Sequence, residues 1–252
     1  MACTAAQPAF NGGWCIRTPH LVSSNSEFRS LVTNTALGVL PEDALRELES
    51  IMSVADYDAG CILFLEQELL SQLFVVFEGD VRLSLQDISG KRLTLRIAQR
   101  GAILGVSEAF SGNLSEWSAD TLYPSKIASI RRSEFIRFAE RHPDVYRLAT
   151  MELIRTCSNT CRTLRILGLT DRVRKKLGGQ LLAWAEQGTR TGDQSRYRLA
   201  RSHAQIAEFI CTTRESVSRT LADFKRSGLV EFRGSMMTIP SMTALREYVE
   251  RR

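Results

Sequence analysis

One segment near the middle of the chain restricts the fold more than any other. Between Pro143 and Leu167, apolar and small side chains recur at alternating intervals of four and three residues. The positions are Tyr146, Thr150, Leu153, Cys157, Thr160, Leu164 and Leu167. This is the a/d repeat of a helix with a narrow seam, sustained over about three heptads. Such a seam favours a parallel helix pair between two copies of the chain, and the alternative is a helix that packs on its own chain.

The part of the chain before this helix has the pattern of a small antiparallel β domain. After a short helix at PEDALRELESI, with Pro41 at its start, come four runs with partial alternation of apolar and polar residues. The runs are GCILFLEQ, QLFVVFEGDVRLSLQD, KRLTLRIAQRGAILG and SADTLYPSKIASIRR. We therefore expect an α+β fold with an N-terminal β-barrel, or jelly roll, over residues 27–142. Residues 1–26 lack sustained periodicity and are expected to form a flexible tail.

The part after the helix predicts a separate basic domain over residues 170–252. Gly168 and the following LTD interrupt the seam, so a hinge is expected at 168–171, and the dimerisation helix with its hinge covers residues 143–169. Residues 170–252 hold 16 Lys and Arg against 9 Asp and Glu, whereas residues 1–169 hold 17 against 19. This uneven charge favours a polyanionic partner for the last third, and an ordinary basic surface is the alternative.

Two short helices joined by a tight turn are expected within the basic domain. RSHAQIAEF has Ser202 and Gln205 at capping-box spacing, and a second helix starts at Thr212 or Thr213. GLVEFRGSMMTI then predicts two short strands that turn at Gly234. This order is typical of a winged helix-turn-helix.

The second helix has one apolar and one polar face. Val217, Leu221 and Phe224 share the apolar face, and the opposite face holds Glu215, Ser218, Arg219 and Ala222, with Arg214 near the N-terminal end. Arginine can pair with guanine and glutamate can accept from cytosine, so these residue types suit the reading of base edges. In the alternative interpretation, Glu215 completes a capping box with Thr212 and the arginines are only solvated.

The segment SHAQIAEFICTTRESVSRTLADFKRSGLV resembles the DNA-binding domain of the cAMP receptor protein and fumarate-nitrate regulator (CRP/FNR) family. GCILFLEQELLSQLFVVFEGDVRLS and GAILGVSEAFSG are similar to the family's cyclic-nucleotide-binding fold in their glycine and apolar positions. The resemblance extends from about residue 28 to the end. It implies a transcription regulator, not an enzyme, that binds double-stranded DNA as a homodimer, with RNA polymerase as a further partner.

By the same resemblance, Arg214, Glu215 and Arg219 contact bases, and Ser218 matches a serine of the fumarate-nitrate branch. The implied half-site contains a GA step, as in TGTGA. The other expected DNA-binding residues are Ser202, Thr212 and Thr213. One departure is Cys211, which stands in the turn where the family usually has glycine. A positive φ at Cys211 would cost roughly 1 kcal/mol of strain, so an adjusted turn is expected.

The candidate effector pocket departs further from the family. Where cyclic-nucleotide members have a glutamate for the ribose and an arginine for the phosphate, this chain has Val106 and Trp117. Valine accepts no hydrogen bond, and indole offers one neutral donor instead of a charged fork, so cAMP is not expected to bind in the usual way. Glu108 could partly replace the missing glutamate. The other expected pocket residues are Ser107, Ser118, Thr160 and Cys161.

Two alternatives stay open within the same fold: a regulator that needs no ligand, and one that responds to thiol chemistry. Cys157 lies on the seam, so it would face its mate across a parallel dimer, with Cys161 one turn away. Small side chains that simply fill the seam are the other interpretation. A remote alternative is a barrel enzyme with an attached nucleic-acid module, although no catalytic cluster is visible.

Composition restricts the remaining function classes. The six cysteines include no CxxC pair, which is unlike a disulfide framework and favours a reducing compartment. No histidine lies in the expected barrel strands, so neither haem nor a metal-dependent barrel is predicted, and no cofactor is expected with certainty. The sequence shows no signal-like leader and no apolar run near the roughly 18 residues of a membrane span. A cytoplasmic protein without membrane contact is therefore expected.

Overall fold

The computed structural model describes residues 17–20, 25–32, 35–88, 91–168 and 173–250. The chain forms two compact units. The first unit comprises residues 1–85 and 96–157, and the second comprises residues 86–95 and 158–252. None of the helices within these described ranges is long and apolar enough to cross a membrane.

The N-terminal strands form two antiparallel sheets, which agrees with the predicted jelly-roll class. The strands are β1 (Arg17–His20), β2 (Met52–Tyr57), β3 (Ile62–Phe64), β4 (Gln72–Glu78), β5 (Val81–Gln86), β6 (Arg92–Ala98), β7 (Ile103–Leu104), β8 (Ser118–Thr121) and β9 (Ser125–Arg131). One sheet has the order β1-β2-β9-β4-β7 and the other the order β3-β8-β5-β6. Strand β4 is a continuous apolar run because both of its faces are covered: Phe74 and Val76 belong to one core, and Val75 and Phe77 to another.

Helices cover the outer face of the five-stranded sheet. They are α1 (Asn25–Val32), a 3₁₀ turn (Ala36–Val39), α2 (Glu42–Ile51), α3 (Val106–Ser111), α4 (Arg132–Arg141) and α5 (Asp144–Gly168). The core on this face includes Leu48 of α2, Phe138 of α4 and Leu148 of α5. The predicted helix at PEDALRELESI is confirmed as α2, with Pro41 at the N-cap rather than at the first helical position.

The predicted tail over residues 1–26 is not uniform. Arg17–His20 pair antiparallel with β2, so that His20 lies opposite Val54, and α1 begins at Asn25. The physical reason is the free edge of β2, whose backbone groups accept a further strand without any apolar periodicity in that strand. Residues 1–16 and 21–24 lie outside the described part of the chain.

The long helix predicted over residues 143–169 is confirmed as α5, which has 25 residues. The sequence allowed two interpretations of this helix, pairing with a second copy and packing on its own chain, and each applies to a different face. Leu148 and Ala149 are buried against the first unit's core, whereas the seam residues Leu153 and Leu164 are 39% and 63% exposed. The helix therefore packs on its own sheets and still presents the a/d seam on another face, which stays available to a second copy of the chain.

The second unit has the predicted winged helix. It contains α6 (Val173–Ala185), β10 (Thr189–Thr191), β11 (Gln194–Arg198), α7 (His203–Phe209), α8 (Arg214–Arg226), β12 (Glu231–Arg233), β13 (Met236–Ile239) and α9 (Met242–Glu250). The sheet order is β10-β11-β13-β12, with the expected turn at Gly234 between β12 and β13. Gly168 ends α5, while the rest of the predicted hinge and the Asp171 cap lie outside the described residues.

Two neighbouring glycines in α6 have different surroundings. A Cβ atom added at Gly178 would lie 2.1 Å from Cγ2 of Val249, on helix α9. A Cβ added at Gly179 would meet only Cγ1 of Ile166, at an ordinary 3.8 Å. Gly178 therefore permits the close approach of α6 and α9, which a larger residue would prevent.

Candidate functional site

Helix α8 is anchored by its apolar face and begins at a side-chain cap. Val217, Leu221 and Phe224 are all at most 2% exposed. The N-cap is Thr213, whose Oγ1 accepts a hydrogen bond of 3.2 Å from the Ser216 amide. Because the cap is Thr213 and the third helical residue is Ser216, Glu215 takes no part in a capping box. The capping interpretation of Glu215 is thereby wrong, and its carboxylate is left free.

The opposite side of α8 presents charged groups to solvent. Arg214, Glu215 and Arg219 are exposed, and within the described residues none of the three forms a hydrogen bond or an ion pair. A guanidinium group without an internal partner loses no protein contact when it pairs with a base or a phosphate. The positive N-terminal end of the α8 dipole adds to the attraction for an anion.

Ser218 has a partner inside the domain. Its Oγ lies 2.7 Å from Nδ1 of His203, at the start of helix α7, and both side chains are half-buried. The sequence pattern predicts Ser218 on the polar face of α8 but does not predict its contact with His203. The contact ties α8 to α7, a connection that local periodicity does not reveal because the two residues are 15 positions apart.

Helices α7 and α8 begin at the caps that the sequence pattern predicts, Ser202 and Thr213. Ser202 caps α7 in a complete capping box: its Oγ accepts from the Gln205 amide at 3.2 Å, and its own amide donates to Gln205 Oε1 at 2.8 Å. Thr212 is half-buried in the turn. Cys211 keeps the positive φ of 52° that glycine would adopt easily, so the expected adjustment of the turn does not occur.

The candidate effector pocket in the first unit is almost closed. Its remaining cavity is about 20 Å³. Val106, Ser107 and Trp117 line it, together with Arg96 and Glu152. A space of this size holds about one water molecule, whereas ligand cavities are generally some 300–1,000 Å³.

Glu108 does not replace the missing glutamate. It is 4% exposed and does not line the cavity. Its carboxylate instead accepts hydrogen bonds from Ser107 Oγ at 2.7 Å and Ser115 Oγ at 3.1 Å. The reason is helical geometry: residues 106–111 form α3, and two positions along a helix correspond to a rotation of roughly 200°. Ser118 Oγ is also engaged, since it accepts from the Glu66 amide at 2.9 Å.

A buried ion pair that sequence reasoning missed fills the rest of the pocket. Nη2 of Arg96 on β6 donates to Oε1 of Glu152 on α5, and Nη1 donates to Oγ1 of Thr156 at 3.2 Å. Arg96 is 8% and Glu152 5% exposed. The available signal was the position of Glu152 four residues after Leu148, on the apolar face of α5 that packs on the sheet.

The cysteine and seam residues are distributed between the two units. Thr160 is half-buried and Cys161 exposed, and both belong to the second unit. Cys157, Cys161 and Cys211 are free, and Cys61 takes part in a disulfide bond. Across the described ranges, no group of three or more His, Cys, Asp or Glu side chains is placed to hold a metal ion.

Two known domain families match separate parts of the chain. Residues 54–142 match the cyclic nucleotide-binding domain, and residues 175–248 match the Crp-like helix-turn-helix domain. The first match covers most of the two N-terminal sheets, and the second covers α7, α8 and the wing.

Several curated proteins are similar over most of their length. The nitrogen fixation regulation protein FixK of Bradyrhizobium diazoefficiens is 26% identical over 83% of this chain and 89% of its own. The CRP-like cAMP-activated global transcriptional regulator of Mycobacterium tuberculosis is 26% identical over 80% of this chain and 90% of its own.

Solved structures show the same fold. A mutant of CooA from Carboxydothermus hydrogenoformans has a TM-score of 0.71 at 20% identity, covering 87% of this chain and 95% of that one. FixK2 from Bradyrhizobium japonicum has a TM-score of 0.67 at 19% identity, covering 78% and 96%. At such identities the likeness concerns the fold alone.

Proposed function

Because the chain belongs to the CRP/FNR family of DNA-binding transcription regulators, we propose that it binds a pseudo-palindromic promoter site as a homodimer. In this proposal Arg214, Glu215 and Arg219 read the bases of each half-site from the major groove. Thr212, Thr213, Ser202 and Ser218 support the two helices that hold these readers in place. The domain boundaries at residues 26, 142 and 169 belong to the same proposal.

The observation that carries the proposal is that one helix combines a buried apolar face with an exposed face that bears Arg214, Glu215 and Arg219. Val217 and Phe224 are completely covered, so the orientation of α8 is determined by packing. Arg214 and Arg219 are exposed on this helix, and the described part of the chain offers them no hydrogen-bond or ion-pair partner. Readers held on a rigid element reach bases with a smaller loss of entropy than readers on a loop.

The exposed seam of α5 supports the dimer. Tyr146, Leu153 and Leu164 are 42%, 39% and 63% exposed in the single chain. An apolar stripe of this kind on one helix fits the seam of a parallel helix pair. A two-fold dimer would present two α8 helices, which corresponds to two inverted half-sites in the DNA.

The nearly closed pocket supports a regulator that does not bind cAMP in the usual way. Trp117 cannot supply the charged fork for a cyclic phosphate, and Glu108 is occupied by two hydroxyl groups. Arg96, whose guanidinium group lies on the pocket wall, is already paired with Glu152. We further propose that the protein acts in the cytoplasm with RNA polymerase as a partner, and that it is not an enzyme.

Fluorescence anisotropy tests the proposed function. A labelled duplex with inverted TGTGA half-sites and a scrambled duplex are titrated with purified protein at one fixed salt concentration, with and without cAMP. We expect tight binding to the palindrome, weaker binding to the scrambled duplex and no effect of cAMP. Equal affinity for the two duplexes under every condition would overturn base reading by α8, whereas tenfold tighter binding with cAMP would overturn our interpretation of the pocket.

A further inference from the structure

We propose that Glu152 is a built-in anion that takes the place of an effector in the pocket, and that with Arg96 it positions α5 for DNA binding without a ligand. This inference rests on the proposed function, because its readout is the affinity for the palindromic site. Arg96 and Glu152 are positioning residues in this scheme, since neither contacts DNA itself.

The geometry of the Arg96–Glu152 contact supports this role. One guanidinium group on β6 donates to two successive turns of α5: to the carboxylate of Glu152 and, at 3.2 Å, to the hydroxyl of Thr156. Two donors in a rigid plane define a direction as well as a distance. The contact therefore restricts the rotation of α5 about its axis, whereas apolar packing alone would tolerate small rotations.

The burial of the two side chains also supports this role. Arg96 and Glu152 are both more than nine-tenths buried, and Nε of Arg96 has no hydrogen-bond partner among the described residues. A buried guanidinium group needs a counter-anion, because water cannot solvate it there. Glu152 is the anion that fills this need, and any phosphate or carboxylate from solution would have to displace it.

The space around the pair is small. The pocket walls formed by Val106, Ser107 and Trp117 leave only about 20 Å³ beside the two charged groups. An anionic effector does not fit while Glu152 holds its position. The pocket thus already contains an anion, the Glu152 carboxylate, which helix α5 itself contributes.

The pair is connected to the dimer seam through Leu153. Leu153 lines the same cavity and is also a seam residue with 39% exposure. It follows Glu152 directly, so the two side chains are separated by roughly 100° around the helix. When Arg96 holds Glu152 inward, Leu153 and the rest of the seam turn toward a partner. The helix then continues to Gly168, into the second unit.

The test uses the full-length protein and the substitution Glu152→Ala, which leaves Arg96 without its anion and creates space where the carboxylate was. We expect at least tenfold weaker binding to the palindromic duplex, with dimer formation measured in parallel by sedimentation equilibrium. Sodium acetate or formate should restore most of the affinity, while sodium chloride at the same ionic strength should not. Glu140→Ala, which removes an exposed carboxylate from α4, is the matched control and should bind as the unsubstituted protein does.

Each outcome is decisive. If Glu152→Ala binds the palindrome normally, or if acetate and chloride act alike on a folded variant, the positioning role is refuted. If Glu152→Ala does not fold, the double variant Arg96→Met with Glu152→Met removes both charges and should fold. A double variant with an unchanged melting temperature and at least tenfold weaker palindrome binding supports the proposal, and unchanged binding overturns it.

The proposed function fails in a different way from this inference. An unsubstituted protein that never distinguishes the palindrome from the scrambled duplex refutes base reading. An unsubstituted protein that distinguishes them only when cAMP is added refutes the built-in anion and leaves base reading intact.

Discussion

Arginine serves two opposite purposes in the two units. In the first unit, Arg96 is 8% exposed and is held by Glu152 and Thr156. In the second unit, Arg214 and Arg219 are exposed and have no partner within the described residues. An arginine side chain thus connects two structural elements in the first unit, whereas in the second unit it is available for binding.

The difference shows that the surroundings of a charge, more than its identity, determine its function. A buried cation must be neutralised by an anion inside the protein, so the ion pair that it forms holds two structural elements together. An exposed cation is solvated at little cost and can exchange water for a base or a phosphate. Net charge alone, which is positive over residues 170–252, does not separate these two cases.

The largest expected effect tests the buried member of the comparison. Arg96→Ala removes the hydrogen-bonded counter-ion of the buried Glu152 carboxylate, which keeps only the more distant Arg155 Nη1, at 3.8 Å, so we expect a loss of about 3 kcal/mol in the free energy of unfolding. Urea denaturation measures it. Arg147→Ala, which removes an exposed arginine from the same unit, should change stability by no more than about 0.5 kcal/mol. Equal effects would mean that the Arg96 pair is as weak as a surface contact.

The next effect tests the exposed member. Arg219→Ala should weaken binding to the palindromic site by roughly 1–3 kcal/mol and binding to random DNA only slightly, because a base contact is lost. Anisotropy titrations of both duplexes give the two values. Arg246→Ala, on helix α9, removes one exposed charge from the same domain and should affect both duplexes alike. If Arg219→Ala also affects them alike, Arg219 contacts phosphate and not bases.

A smaller effect concerns the turn that presents the readers. Cys211 has a φ of 52°, a conformation that costs a residue with a Cβ about 1 kcal/mol relative to glycine. Cys211→Gly should therefore raise the free energy of unfolding by up to about 1 kcal/mol. Cys211→Ala keeps the Cβ and should leave stability nearly unchanged. A gain in both variants would assign the effect to the thiol and not to the backbone.

The smallest effect concerns an ion pair of intermediate exposure. The hydrogen bond from Arg141, followed by that from His142, lowers the pKa of Glu47 below its ordinary value of 4.5. A lowered pKa in the folded state stabilises the protein above pH 4.5, and this contribution is lost as the pH falls through the lower folded value. At 25% exposure we expect at most about 1 kcal/mol.

Melting temperatures between pH 7 and pH 3 test this contribution. Glu47→Gln should be less stable than the unsubstituted protein at neutral pH, and the difference should shrink on acidification. Glu49→Gln, on the same helix, controls for the loss of one negative charge. A difference between Glu47→Gln and the unsubstituted protein that stays constant across the pH range would contradict the role of the Glu47 ion pair.

Local patterns predicted the elements of the fold and the reader helix, but not the contents of the pocket. The α5 seam, the Ser202 cap and the buried face of α8 all follow from spacings within a few residues of one another. The Arg96–Glu152 pair joins residues 56 positions apart. Neither residue is unusual in its own segment, so only the packing of β6 on α5 brings the two charges together.

Two of the strands that local patterns do not predict have a similar explanation. Arg17–His20 and Thr189–Thr191 are short and lie at sheet edges. An edge strand forms backbone hydrogen bonds with a neighbouring strand on one side only. Its own sequence therefore needs little alternation of apolar and polar residues. Their existence depends on a neighbouring strand that offers free backbone groups, which a local window does not contain.

Gly178 and Gly179, the two neighbouring glycines of α6, have very different freedom to vary. Position 178 rejects even a methyl group, because Val249 occupies that space. Position 179 has room for one, and alanine there would favour the helix by up to about 1 kcal/mol. In a library of random variants, Gly178 would be nearly invariant and Gly179 replaceable. The difference between the two positions would therefore reveal which side of α6 contacts helix α9.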